Sequence, residues 1–149
     1  MKASRRKFLT SISMLAAATA MPINQFNFGS KEKLKIALVG TGIRGITFWG
    51  KRLVDEYADI LEFVGLCDIN PGRLAYGLEY TGAKCTTYTD FQKMIKEAKP
   101  NLVIVTTKDS NHHQFIIKAL EMGCDVLTEK PLTTDEDKCE AILQAEKKS

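Results

Sequence analysis

Gly40-Thr41-Gly42-Ile43-Arg44-Gly45 follows an apolar run, Leu34 to Val39, and opens a segment with helical spacing. Asp68 stands 23 residues beyond Gly45, at the end of a second apolar run. Glycines at this spacing between a strand and a helix suit one kind of chemistry. The first allows a tight turn, the second lets backbone approach a pyrophosphate, and the third lets helix and strand pack closely. The free N–H groups and positive dipole end of the new helix then hold phosphate charge. An acid after the second strand can accept hydrogen bonds from ribose hydroxyls. Glycines alone are common in loops; strand, loop, helix, second strand and acid together read as a dinucleotide-binding fingerprint.

The second half of the chain carries further polar groups at the ends of apolar runs. Thr106-Thr107 closes one run, Asn111-His112-His113 opens a helical pattern, and Glu129-Lys130-Pro131 closes the next run. By residue type alone, Lys130 reads first as a solvated loop lysine and second as a proton-transfer group.

These residues need a scaffold, and five apolar runs alternating with five helical patterns supply it. The expected strands are Leu34–Val39, Phe63–Cys67, a short Cys85–Thr87, Leu102–Thr106 and Asp125–Thr128. The fourth is continuously apolar and mostly β-branched, as in a central strand buried on both faces. Asn70 is placed to cap the helix that begins with Pro71. Thr89 with Gln92 forms a candidate capping box, and Thr134 is placed to cap the last helix, with Cys139, Ile142 and Leu143 facing inward. The alternation predicts an α/β fold, a doubly wound parallel sheet of Rossmann type with strand order 3-2-1-4-5.

The N-terminus reads as a targeting signal. Ser4-Arg5-Arg6-Lys7-Phe8-Leu9 resembles the twin-arginine export motif, a short apolar stretch follows, and Ala18-Thr19-Ala20 offers small residues for a peptidase. The expected organisation is a signal peptide over residues 1–20, a mobile lead-in over 21–33 and a nucleotide-binding domain over 34–149. This predicts a periplasmic protein. The apolar stretch is too short to span a bilayer. The formal charge of +3 arises partly in that segment. Without Lys2, Arg5, Arg6 and Lys7, the 21 basic side chains drop to one fewer than the 18 acidic ones. No basic field is left to favour nucleic acid or an anionic membrane. Cys67, Cys85, Cys124 and Cys139 lack CxxC spacing and a histidine cluster, so no metal site is expected. Cys67 and Cys85 fall at opposite ends of neighbouring parallel strands, too far apart to bridge. All four are expected to act as small buried hydrophobes.

Taken together, the glycine loop, Thr106-Thr107, His112 and the Glu-Lys-Pro tripeptide resemble the nucleotide-binding domain of the glucose–fructose oxidoreductase, inositol dehydrogenase and MocA family, over about Leu34 to Lys148. The resemblance implies that Lys130 lies beside the nicotinamide and the substrate hydroxyl as the catalytic residue. It implies that Glu129 orients Lys130 or meets the cofactor ribose, and that Pro131 follows a cis peptide bond. His112 matches the histidine of the family's T-P-N-x-x-H element, but Lys108 and Asp109 stand where that element has Pro and Asn. His113 is expected at the surface. The expected cofactor contacts are Gly40, Thr41, Gly42, Ile43, Arg44, Gly45, Asp68, Thr106, Thr107, His112, Glu129 and Lys130. NAD is favoured by Asp68, whose charge repels a 2′-phosphate. Arg44 keeps NADP open, since it is placed either to pair with a phosphate or to cover the adenine face.

The implied activity is an exported oxidoreductase acting on a sugar or cyclitol hydroxyl. The alternatives are an NAD-using glycoside hydrolase of the same family and a non-catalytic nucleotide-binding fragment. The family's second, substrate-holding domain is absent from the sequence. The chain is therefore expected to be a truncated member, inactive alone, with a homo-oligomer of the full-length form left open.

Overall fold

The computed structural model describes residues 32–149, which form one compact unit. The export signal and nearly all of the lead-in lie outside the described residues. Five strands alternate with five helices: β1 Leu34–Val39, β2 Leu61–Cys67, β3 Thr86–Tyr88, β4 Leu102–Val105 and β5 Asp125–Thr128. They pair in parallel in the order β3-β2-β1-β4-β5, as the alternation predicts. The order reverses between β1 and β4, and in such sheets the crevice outside the carboxyl ends of the strands at that point receives ligands.

The helices follow the strands. α1 (45–57) begins as the π-helical Gly45–Lys51 and continues as the α-helical Arg52–Tyr57. α2 is Pro71–Thr81, α3 Phe91–Ala98, α4 His112–Glu121 and α5 Glu136–Glu146. Asn70 caps α2 as expected, accepting hydrogen bonds from the N–H groups of Gly72 and Arg73. The next two caps are corrections. Asp90, not Thr89, caps α3 by accepting from Lys93 N–H, and Asp135, not Thr134, caps α5 by accepting from Lys138 N–H. In each Thr-Asp pair the carboxylate takes the cap, since a charged acceptor makes the stronger bond to a helix N-terminus.

Alternation along β1 sends its side chains to two cores. Ile36 and Leu38 join Phe63, Leu66, Leu74 and Ile104 on one face, with Leu53 and Val54 of α1 packed against them. Ala37 and Val39 join Val103, Val105, Met94, Ile116 and Ile142 on the other, so α3, α4 and α5 cover that side. Val103, Ile104 and Val105 are completely buried, as a central strand requires. Gly65 on β2 is a packing necessity: a Cβ there would meet Met94 Cγ at 2.9 Å. On α5, Ile142 is buried but Leu143 is half exposed and Cys139 only partly covered, which corrects the expected inward trio. Ile142 lies at the centre of the buried stripe of α5, and Leu143, turned about 100° from it, falls at the stripe's edge.

All four cysteines are free thiols. Burial, with Asp68 and then Asp90 adding negative charge nearby, pushes the Cys67 thiol up to about 12. Burial pushes Cys85 up to about 11. Thiols held this far from ionisation are poor nucleophiles. Cys67 and Cys124 are fully buried, whereas Cys85 and Cys139 are only partly so. No described helix is long and apolar enough to cross a membrane.

Candidate nucleotide site

At the end of β1 the chain turns through Gly40, whose φ of +96° suits only glycine. A Cβ there would stand 2.6 Å from Thr106 O, so the loop lies directly against the end of β4. A Cβ on Gly45 would run into the Gly40 carbonyl and stand 2.6 Å from Thr106 Oγ1. Thr106 Oγ1 donates a 2.6 Å hydrogen bond to Gly40 O and fixes the approach. Gly42 differs from both: a Cβ built on it meets no atom within 4 Å. Nothing in the protein itself demands glycine at position 42. The space in front of it is open, and since Ile46 N–H already donates to Gly42 O at 3.0 Å, the N–H groups left free at this helix entry are those just ahead of it, from Gly42 to Arg44.

Asp68 is only 8% exposed and is bound to this loop. Its Oδ2 accepts from Thr41 N–H at 2.9 Å and from Thr41 Oγ1 at 3.1 Å, while Oδ1 accepts from Asn70 N–H at 2.9 Å. The carboxylate therefore sets the shape of the glycine loop and the start of α2 at once. A cleft of ≈ 470 Å³ opens here, lined by Gly40, Gly42, Asp68, Thr106 and Thr107 among the expected residues. Thr41 and Gly45 are buried and do not line it.

The cleft also has walls that sequence reasoning did not assign to it. Ile69, 88% exposed, and Arg73 follow β2, Thr89 and Phe91 follow β3, and Phe115 comes from α4. Phe91 and Phe115 meet edge to face, with ring centroids 5.1 Å apart. In the sequence both read as core positions of their helices, which they also are in part. Lys108 and Asn111 complete the rim, Lys108 being the departure from the family element.

The residues beyond β4 and β5 gather in a second place. His112 is completely buried, with one ring nitrogen 3.0 Å from Thr107 O and the other 3.0 Å from Pro131 O. It bolts the end of β4 to the Glu-Lys-Pro turn. Its role as a cofactor contact is corrected, since a ring with no exposed surface and both nitrogens engaged has nothing to offer a ligand. His113 is half-buried and so departs from the expected surface position. The Lys130–Pro131 peptide bond is cis, as the resemblance implied. Lys130 is exposed, and neither it nor Glu129 lines the cleft.

Glu129 is the hub of this second place. Its Oε1 accepts from Arg44 Nε at 2.7 Å and from the Trp49 indole N–H at 2.8 Å, and its Oε2 faces Lys130 N–H at 3.4 Å. The Arg44 hydrogen bond, followed by that of Trp49 and the charge of Arg44, holds the carboxyl below its usual range against the opposing effect of burial. Arg44 also lies over the Phe48 ring at 4.3 Å. In this structure Arg44 is paired with Glu129, which is neither of the placements expected for it. Its side chain turns to the end of β5, away from Asp68 and the β2 side where an adenosine would lie.

Comparison with known proteins agrees with this geometry. Residues 34–149 match the model of the Gfo/Idh/MocA oxidoreductase family, NAD-binding Rossmann fold. The chain belongs to that family and comprises its NAD-binding part. The inositol 2-dehydrogenase/D-chiro-inositol 3-dehydrogenase of Lactiplantibacillus plantarum is 32% identical over 111 residues, which is 72% of this chain and 31% of the relative. Glycosyl hydrolase family 109 protein 1 of Akkermansia muciniphila is 31% identical over 121 residues, 76% of this chain and 24% of that protein. The WlbA dehydrogenase of Chromobacterium violaceum, solved in complex with NADH and UDP-GlcNAcA, superposes with a TM-score of 0.70 at 31% identity, over 78% of this chain and 32% of that one. The chain thus spans between about a quarter and a third of the length of these relatives.

The residues present fit a dinucleotide. The open space before Gly42 matches the approach of a pyrophosphate, and the cleft continues from there along Asp68 and Ile69.

Proposed function

We propose that this chain holds NAD for an enzyme that oxidises or reduces a hydroxyl of a sugar or cyclitol. The observation that carries the reading is Gly42, a glycine the protein's own packing does not require, facing an open cleft at the carboxyl ends of the central strands. The N–H groups from Gly42 to Arg44, at the entry to α1, hold the pyrophosphate. The free acceptor capacity of Asp68 receives the adenosine ribose hydroxyls, and its charge favours NAD over NADP. Ile69 packs on the adenine. The nicotinamide half runs toward Thr106, Thr107 and the Glu-Lys-Pro turn. When bound, NAD supplies the hydride acceptor. Lys130 takes the hydroxyl proton as the alcohol is oxidised and returns it in the reverse direction. A further domain holds the substrate; likeness to an inositol dehydrogenase and to a sugar-nucleotide dehydrogenase supports a polyhydroxylated ring.

The likeness to a family 109 glycosyl hydrolase favours a second reading, in which oxidation and re-reduction at one sugar carbon enclose elimination and water addition. Release of p-nitrophenol from a p-nitrophenyl glycoside without added NAD would select it. The twin-arginine pattern at residues 4–9 supports export of residues 34–149 as a folded, nucleotide-loaded domain to the periplasm, where no soluble NAD pool recycles the cofactor.

The test is Lys130→Ala in a protein that also carries the substrate domain. Turnover is expected to fall about 10²–10⁴-fold, the usual cost of removing a general acid–base group. NAD affinity is expected to stay within about tenfold, because the glycine loop and Asp68 supply the contacts to pyrophosphate and ribose. Full turnover would remove Lys130 from the chemistry.

A further inference from the structure

We propose that Arg44 is a positioning residue, which clasps Glu129 and thereby holds the Glu129-Lys130 turn against the nicotinamide end of the site. This rests on the NAD reading above. Arg44 sits inside the glycine loop by sequence, where a cation is naturally assigned to phosphate. The structure sends it elsewhere. Its Nε donates to Glu129 Oε1 at 2.7 Å, joining the start of α1 to the end of β5 across 85 residues of chain. The Trp49 indole donates to the same oxygen at 2.8 Å.

Two features keep this contact in one geometry. The Phe48 ring is met by two guanidinium groups, Arg44 at 4.3 Å and Arg52 at 5.3 Å, and meets Trp49 edge to face. Arg44 is thus ordered although its side chain is 60% exposed, while its partner Glu129 is only 15% exposed. A carboxylate this covered needs its donors, because burial without them leaves charge uncompensated. The π-helical turn of α1 carries Phe48 and Trp49, and such turns recur at functional sites.

The consequence lies in the peptide that follows. Glu129, held by Arg44 and Trp49, and Pro131, held by His112, flank Lys130 on both sides. The backbone bearing the exposed amine is therefore fixed at two points, one of which depends on Arg44. Asp68 marks the adenosine side on β2, so the turn after β5 serves the opposite end of a dinucleotide.

The test uses the 149-residue chain with two probes: ADP, which shares adenosine and pyrophosphate with the cofactor, and NADH, which adds the nicotinamide half. Arg44→Ala, Glu129→Gln and the double variant complete a cycle. Arg44→Ala is expected to lower NADH affinity about fivefold, a modest loss for a charged pair with one exposed partner. ADP affinity should change less than about twofold. In the Glu129→Gln background, Arg44→Ala should have no further effect. The split between NADH and ADP is the readout that a merely structural role would not move, and Trp49, the single tryptophan, reports separately whether the clasp itself forms. The acid transition of its emission, which reports Glu129 protonation, should rise toward the ordinary carboxylate range in Arg44→Ala. A loss of ADP affinity in Arg44→Ala would place the guanidinium on phosphate and overturn the clasp, as would additive effects in the cycle or an unmoved acid transition. Failure of the unmodified chain to bind ADP would instead overturn the nucleotide reading, and the clasp with it.

Discussion

The two corners of the site are built by different means. At the β1–β2 corner, backbone is pressed on backbone: Gly40 against Thr106, Gly45 against Gly40, and Thr41 onto the carboxylate of Asp68. At the β4–β5 corner, side chains reach across gaps: His112 between Thr107 and Pro131, and Arg44 and Trp49 onto Glu129. Close contacts at glycines, tied by short side chains, suit a loop that must admit phosphate. Long side-chain bridges suit a turn whose lysine must be aimed from outside the cleft. The difference also explains which corner reads from sequence. Glycines at close-packed points leave a motif at fixed spacing, whereas a bridge joins residues that are distant in sequence and marked only by type.

The comparison predicts a graded set of failures. The first corner should break globally. Gly45→Val puts a side chain into the Gly40 carbonyl and Thr106, with no flexible neighbour to yield, and should cost about 3 kcal/mol or more by overpacking. Chemical denaturation would measure it, and a loss under about 1 kcal/mol would show that the loop is looser than the packing indicates.

The second corner should break more locally. His112→Ala removes a completely buried ring that faces two carbonyls and leaves a cavity, at a cost of about 2–3 kcal/mol. Hydrogen exchange should rise at residues 129–132 and near Thr107 while the amides of β1 and β2 keep their protection. Uniform loss of protection would mean that the two corners are one cooperative unit.

The smallest effect concerns pH. Glu129 is held below its ordinary range chiefly by Arg44, so its stabilising contribution is fully present above the unfolded carboxylate value near 4.5. That contribution should be lost as pH falls through the lowered folded value, and it should amount to less than about 1 kcal/mol because Arg44 is exposed. Stability of the unmodified chain should therefore fall more steeply below pH 4.5 than that of Glu129→Gln. Parallel curves would show that the ion pair has no net weight.

Much of the fold was legible because apolar runs and helical spacing alternate without interruption, which implies a parallel sheet, and the glycine fingerprint points to the strand order found. Helix starts were legible to within one residue. Asn70 caps as read, but at Thr89-Asp90 and Thr134-Asp135 two good capping residues stand side by side, and spacing alone does not choose between them. The cleft's glycines, Asp68 and Thr106-Thr107 were legible as a motif. Phe91, Phe115 and Ile69 were not. Two of them satisfy a helix's apolar face equally well, and the third is distinguished only by its exposure, which sequence does not display. His112 and Arg44 were noticed but misplaced. A buried bridging histidine and a ligand-facing one look alike in sequence, and a guanidinium can reach either side of its own loop.

The account stands most directly on Gly42. Its Cβ position is empty and its backbone needs no left-handed conformation, so Gly42→Val should leave the melting temperature within about 2 °C, the shift expected from well under 1 kcal/mol. The same variant places a side chain where a pyrophosphate would lie. Isothermal calorimetry of NAD against the unmodified chain and Gly42→Val is therefore the decisive measurement. The account predicts binding by the first and at least about a tenfold loss in the second, more than 1.4 kcal/mol at an unchanged fold. Equal NAD affinity in two equally stable proteins would contradict it.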